Sequence, residues 1–428
     1  MKILTCLNYC GLISVLLTGG LVPGALANQE RNPDRIAILQ QEVQFYENKV
    51  KQQPDSGLEL AALANSYWKM GRATGAEQWL PLAEATAKQS IASLPFSNNG
   101  AKLTVAQVAQ ARHAFAEAET IAQEVLKTQP RNSEAVAILA TTAIATGKLN
   151  TAASHVKQLV TESPNLNTLT LQALVEEAQG KNTVPETFRS AIAMAEAGEG
   201  GGVALAETLL GRHYYYRGDL QQAAKRYQAA LAAAPDYPLA VLSLAALATR
   251  EGNYAMADRY YQDLLAKAPE GAYVYDHKIV SGQARVMRLQ GKSNLALLNQ
   301  IEEMVSGDTN AFGHRRELAH VLLERNQNRD RQMALALMET EIKNRQDAPT
   351  LAVYAQALSA NGNLVAARIT WQQIIMSGVQ NPGMYWQAAQ LETQLGNLEQ
   401  AEAYRSQARK IDPNFTEATF QAMGIDSV

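Results

Sequence analysis

The chain has 428 residues, 47% of them hydrophobic, and a formal net charge of −3. That apolar content supplies a large core. The near-neutral charge argues against nucleic acid as the main ligand, because phosphate binding wants a basic surface.

The first 27 residues read as an export signal. Lys2 is the only early charge, Gly11 to Val22 is a short apolar run, and Ala25-Leu26-Ala27 is a small-x-small cleavage site. The mature chain is then expected to start at Asn28, in the periplasm or outside the cell. The run is too short and too glycine-interrupted for a good transmembrane helix, so a retained anchor is the lesser alternative and no stable membrane span is expected after cleavage. Both cysteines, Cys6 and Cys10, lie in this segment. Without it the chain has no disulfide, no thiolate metal site and no cysteine nucleophile. Cys10 precedes the apolar run, which is the wrong side for a lipoprotein cysteine.

Residues 28–57 hold one helix. Pro33 opens it, and Ile36, Leu39, Val43, Tyr46 and Val50 form a 3-4 apolar stripe. A single short stripe favours an N-terminal capping helix over a coiled-coil dimer.

From 58 to 197 the chain reads as helix-turn-helix units. Between Gly71 and Pro95 the spacing is about seven residues too long for the period that emerges downstream, which predicts an extended or interrupted helix near Pro81. Ala118, Val125 and Pro130 mark one helix end. Ser133 to Leu166 is a full period with Leu139-Ala140, Gly147, Ala152, Leu159 and Pro164. The register is lost from Asn182 to Gly202, and the glycine-rich run at 198–202 is expected to hinge two solenoid halves.

The second half, 203–413, carries the clearest pattern. Gly218, Ala223, Tyr227 and Pro235 return as Gly252, Ala257, Tyr261 and Pro269, each 34 residues later. Two helices, A and B, of roughly a dozen residues each fill such a period with their turns. Leu210-Gly211 and Tyr214 lie on the first helix A, and Leu244-Ala245 and Ala248 on the second. Small residues let helices A and B approach closely, glycine permits the positive φ of a helix end, and proline stops helix B. Gly291 and Ala296 mark a drifted unit after an insertion near Glu270-Gly271. Glu317 to Leu323 and Met333 to Ile342 read as a pair joined by a longer turn, Asn326 to Arg331. Gly362, Ala367 and Trp371 form one unit, and Gly396, Ala401, Ala408 and Pro413 the next. Residues 414–428 read as a C-terminal capping helix and tail.

This pattern resembles the tetratricopeptide repeat, whose signature is Leu-Gly/Ala and Tyr on helix A, then Ala, an aromatic and Ala on helix B, then Pro. The resemblance is strongest from Ala204 to Pro269 and extends over most of the mature chain. It implies an all-α, right-handed superhelical solenoid of about nine or ten units, of an exported bacterial type, that binds a protein or peptide on its concave face. Placed by that register, Arg212, Tyr215, Tyr216, Arg250, Lys278, Arg285 and Arg288 lie on the concave faces of three successive helices A. Two aromatics beside several basic groups suit an extended peptide or an acidic terminus. The Lys/Asn set with which some family members clamp a C-terminal carboxylate is missing. Trp386 lies on the equivalent face near the C-terminus, where a binding hot spot and core packing are equally good readings.

Motifs for chemistry are weak. Gly291-Lys292-Ser293 resembles the end of a phosphate-binding loop, but Val286 stands where the upstream glycine is required. His314 and His320 are six apart, which places them on different helical faces. Glu162-Ser163 resembles the Glu-Ser pair of lytic transglycosylases, but Pro164 follows at once and that family's downstream motif is absent. No Gly-x-Ser-x-Gly elbow occurs. The expectation is therefore a non-enzymatic scaffold without cofactor or metal. A self-assembling subunit of an envelope secretion or polysaccharide-export complex, a homo-oligomer, is the alternative.

Overall fold

The computed structural model describes residues 33–270, 273–306 and 314–423. The expected signal segment lies outside these residues. Among them are 22 helices and one strand-like bridge, Ala76 to Tyr273. None of the described helices is long and apolar enough to cross a membrane. The architecture is an all-α helical-repeat solenoid.

Helix α1 (Pro33–Gln52) is followed by ten antiparallel hairpins. These pair α2 (Gly57–Thr74) with α3 (Trp79–Ser93), α4 (Asn99–Ala111) with α5 (Phe115–Thr128), and α6 (Ser133–Ala145) with α7 (Leu149–Glu162). Next come α8 (Leu166–Ala178) with α9 (Val184–Ala193), α10 (Gly200–Tyr216) with α11 (Leu220–Ala233), and α12 (Pro238–Arg250) with α13 (Tyr254–Ala266). The last four are α14 (Asp276–Leu289) with α15 (Leu295–Ser306), α16 (Arg315–Arg325) with α17 (Asn328–Glu341), α18 (Ala348–Ala360) with α19 (Leu364–Met376), and α20 (Pro382–Gln394) with α21 (Leu398–Ile411). A short helix, α22 (Glu417–Met423), ends the described chain.

The signature residues act locally as their chemistry requires. Gly218 and Gly252 turn helix A into helix B at φ 75° and 76°. A Cβ on Gly211 would lie 2.4 Å from the Tyr227 ring, so α10 and α11 approach closely only because that position is bare. The α1 stripe packs inward: Leu39 and Val43 join Leu63, Tyr67 and Trp68 in one core cluster.

Three expectations about spacing are corrected. The long first unit arises because α2 runs straight through Gly71 and turns at Gly75, with φ 74°, while Pro81 sits in the first turn of α3, where its missing N–H costs nothing. The turn after α16 is short: Asn326 adopts a left-handed conformation and α17 begins at Asn328, two residues later. The glycine run is not a boundary between halves. Gly200, Gly201 and Gly202 belong to the first turn of α10, and one apolar cluster continues from Val136 to Ala240 across them.

The coil closes on itself. Gln346 N–H donates to the Ala145 carbonyl at 2.8 Å, and Val274 N–H to the Gly75 carbonyl at 3.2 Å. Residues about 200 positions apart thus meet at a seam, about six repeat units per superhelical turn. At Gly180, with φ 65°, an added Cβ would stand 2.1 Å from the Gly378 carbonyl oxygen. The seam also contains buried ion pairs. Glu341 is fully buried, 3.2 Å from Arg315 and 3.3 Å from His113 Nδ1. Arg345 pairs with Asp347 at 2.5 Å, and Arg316 with Glu317 at 2.8 Å. The His277 and His314 rings lie beside this network, 5.3 Å apart.

Burial holds His113 and His277 below the ordinary imidazole range, His277 at about 3 with the neighbouring His314 assisting. Burial opposes charge on Glu317 and Asp347 as well, but Arg316 and Arg345 outweigh it and hold both carboxyls below their usual range.

The seam can be tested by substitution and by pH. Gly252→Ala, which meets open space, is expected to cost about 1 kcal/mol of left-handed strain. Gly180→Ala adds a collision across the seam and is expected to cost about 2 kcal/mol more. Equal losses of urea-unfolding free energy would mean that the seam does not close as described. The pH test rests on the histidines. The unfolded chain takes up protons on them below about pH 6.5 and the native state does not, so stability falls as pH drops from about 7.5 to about 5. The loss is about 2 kcal/mol for His277, with His113 acting in the same direction, and Glu317 and Asp347 contribute only below about pH 4.5. His277→Gln is expected to flatten that slope. A wild-type protein equally stable at both pH values would contradict neutral, buried imidazoles.

Candidate peptide-binding groove

The concave faces of α14, α16, α18 and α20 enclose an open groove of about 750 Å³. Its floor is cationic and amide-rich. Arg285 and Arg288 come from α14, His320 and Glu324 from α16, Gln356 from α18, and Gln387, Gln390 and Gln394 from α20, with Arg331 at the rim on α17. The register of helix A explains this set: positions three, four and seven apart share one face of a helix. Gln356 donates to Gln387 at 3.0 Å, so the amides of two adjacent repeats are joined. Such amides can donate to and accept from a peptide backbone, while guanidinium groups bind carboxylates.

Of the sequence-predicted residues, Arg285 and Arg288 line this groove. Lys278 lies half-buried near the start of α14. Arg212, Tyr215, Tyr216 and Arg250, expected on an open face, are instead interior. Tyr215 is 2% exposed, and burial raises its phenol well above the usual value. The Arg250 guanidinium stacks 5.1 Å from the Tyr215 ring, donates to the Tyr215 carbonyl and pairs with Asp412, which is fully buried. The physical reason is the closed coil, which seats the last repeat and the C-terminal segment against the concave side of α10 and α12. Trp386 packs against Phe415 with ring centroids 5.5 Å apart and donates from Nε1 to Glu417 at 2.8 Å. It is a packing residue that also grips the C-terminal segment.

Arg288 grips the same segment. One of its terminal nitrogens donates to Gln421 Oε1 at 2.6 Å and the other to the Gln421 carbonyl at 3.1 Å. Helix α22 therefore lies against α12, α14 and α20, with Phe420 and Gln421 forming one wall of the groove. The glutamines went unread in the sequence although they follow the same register as the arginines. The signal was present in the spacing of Gln387, Gln390 and Gln394 along one helix A.

A second, more enclosed cavity of about 330 Å³ lies between superhelical turns. Leu174, Phe188 and Leu209 face Leu351, Ile374 and Val379 across it, and Arg212 is in its wall. At one end His213 Nδ1 lies 2.5 Å from Glu177, which also accepts from Arg217 at 3.1 Å. Burial opposes charge on Glu177, but the hydrogen bond to His213 and the Arg217 charge hold its carboxyl below the usual range.

Comparison with known proteins agrees with the repeat geometry. Residues 208–272 match the family model for the tetratricopeptide repeat. That span runs from α10 to the loop after α13, where the 34-residue period is cleanest. No curated protein sequence matches the chain. Solved structures with loose similarity include yeast Tom70, at 15% identity and TM-score 0.42 over 88% of this chain and 86% of that one. The Cut9–Hcn1 hetero-tetramer of APC/C is similar at 12% identity and TM-score 0.39, covering 94% and 96%. Human IFIT1, solved as a dimer with PPP-AAAA, is similar at 15% identity and TM-score 0.46, covering 85% of each chain.

Replacing Arg250 tests the closed interior. Arg250→Ala leaves Asp412 buried without its counter-charge and is expected to cost about 3–5 kcal/mol in urea unfolding. Arg250→Lys is expected to recover less than half of that, because a single ammonium cannot span both Asp412 and the Tyr215 carbonyl. A loss below about 1 kcal/mol for Arg250→Ala would place the pair in water.

Proposed function

We propose that the chain is a non-enzymatic, exported scaffold that binds a protein or peptide partner in the groove of α14, α16, α18 and α20. The observation that carries this reading is the groove's lining: arginines for an acidic group beside glutamine amides suited to a peptide backbone. The repeat fold supports protein binding in general, since stacked helices are rigid before the partner arrives and the ordering cost falls mainly on the ligand. Export rests on the composition of residues 1–27, and the envelope is the compartment where the partner belongs.

The test uses the mature chain from Asn28 as bait in an extract of its native cell envelope. The double variant Arg285→Glu, Arg331→Glu is the comparison. A dominant protein captured by wild type and reduced at least tenfold with the variant, at unchanged helical content, is the expected result. Equal capture by both would remove the groove from the reading. A native protein whose N-terminus is Met1 and which fractionates with cytoplasm would remove export.

A further inference from the structure

One wall of the groove is the chain's own C-terminal segment. Residues 415–423 leave the last hairpin and turn back onto the concave face. Phe415 is 2% exposed against Trp386, Glu417 accepts from Trp386 at 2.8 Å and from Gln390 at 3.3 Å, and Gln421 is held twice by Arg288. Met423, 1% exposed, ends in a cluster with Tyr215, Tyr216, Leu244 and Leu247. The segment therefore runs from the tenth repeat back to the sixth and seventh, using their helices A.

This arrangement differs from a cap. A capping helix covers the last apolar face of a solenoid and touches only its neighbour. Here α22 reaches α12 and α14, more than 100 residues away in sequence. Its grip is a ligand's grip: an aromatic in a pocket, a carboxylate between two donors, and an amide and carbonyl read by one guanidinium. A helix of seven residues has no stability of its own, so α22 is helical only while docked. Phe420 and Gln421 also line the open region of the groove, so anything entering it must pack on α22 or move it.

We propose that residues 414–423 are a ligand in cis, and that the groove's partner presents a short helical segment of the same chemistry and displaces them. The pattern is an aromatic residue, an acid two positions on, an amide four beyond that, and a flexible apolar residue two further. This rests on the groove reading above and specifies both the partner's chemistry and the regulation of access. Tethering gives the cis segment an effective concentration of roughly millimolar, so only a segment that binds more tightly, or one of several contacts made together, displaces it from the groove wall.

The experiment titrates a fluorescently labelled peptide, Pro413 to Met423, into three proteins: the mature chain, the same chain ended at Pro413, and the full-length triple variant Phe415→Ala, Gln421→Ala, Met423→Ala. The triple variant keeps the chain length should the truncation fold poorly, and circular dichroism identifies folded samples. The peptide is expected to bind the opened proteins at least tenfold more tightly than wild type, and Arg288→Ala in the triple variant to weaken that binding at least tenfold. Equal affinity for wild type and folded opened protein would overturn the proposal, as would no binding to any folded opened protein. A wild-type dimer that excess peptide converts to monomer would replace it with exchange of the segment between two copies. Peptide binding without capture of any envelope protein, even by the opened chain, would leave the cis ligand standing and remove the partner reading. Capture without peptide binding would do the reverse.

Discussion

Contact between successive turns of the coil is the constraint on which the rest of the molecule depends. In an open helical solenoid each repeat touches only its neighbours, and stability is a sum of local terms. Here the backbone at Ala145 is bonded to Gln346, and Gly75 to Val274. These contacts require the superhelix to be wound tightly enough that a turn glycine of one wall meets an inter-repeat loop of the other. Gly180 facing the Gly378 carbonyl marks how little space is left.

Tight winding changes what the concave surface can be. Where turns meet, helix A faces become interior, and the polar residues there must find partners inside the protein. Arg250 does so with Asp412, and Glu341 with Arg315 and His113. Where the coil leaves a gap, at α14, α16, α18 and α20, the concave side remains accessible. The C-terminal segment lines that gap. Binding surface and core are thus two outcomes of one helical register, divided by whether another turn happens to lie opposite.

Local order was legible in the sequence because it is encoded locally. Gly218 and Gly252 announce a turn, Pro235 and Pro269 a helix end, and the Ala and Tyr between them a close helix pair. The glycine run at 198–202 misled for a related reason. Glycine lowers helix propensity by about 1 kcal/mol, but packing can override it, as it does at the start of α10 beneath Leu166. The concave face was legible as a set of positions. Of that set, Arg285 and Arg288 line the open groove, whereas Tyr215 and Arg250 are enclosed. Part of what encloses Tyr215 and Arg250 comes from residue 412 and beyond, and no periodicity in one repeat reports on a distant repeat. Asn326 illustrates the opposite limit: one residue able to adopt a left-handed backbone made a short turn where glycine was absent.

Closure also bears on how such a chain can change over generations. Helical-repeat genes readily gain or lose a unit by unequal recombination, and an open solenoid tolerates this because the new neighbour resembles the old. In this coil a unit inserted between Arg250 and Gln346 would rotate every later helix by one step around the axis. Gly378 would no longer face Gly180, Asp412 would no longer reach Arg250, and each misplaced pair would leave a buried polar group unmatched. Copy number is therefore fixed by geometry, and variation in this molecule is confined to substitutions within a frozen count of repeats.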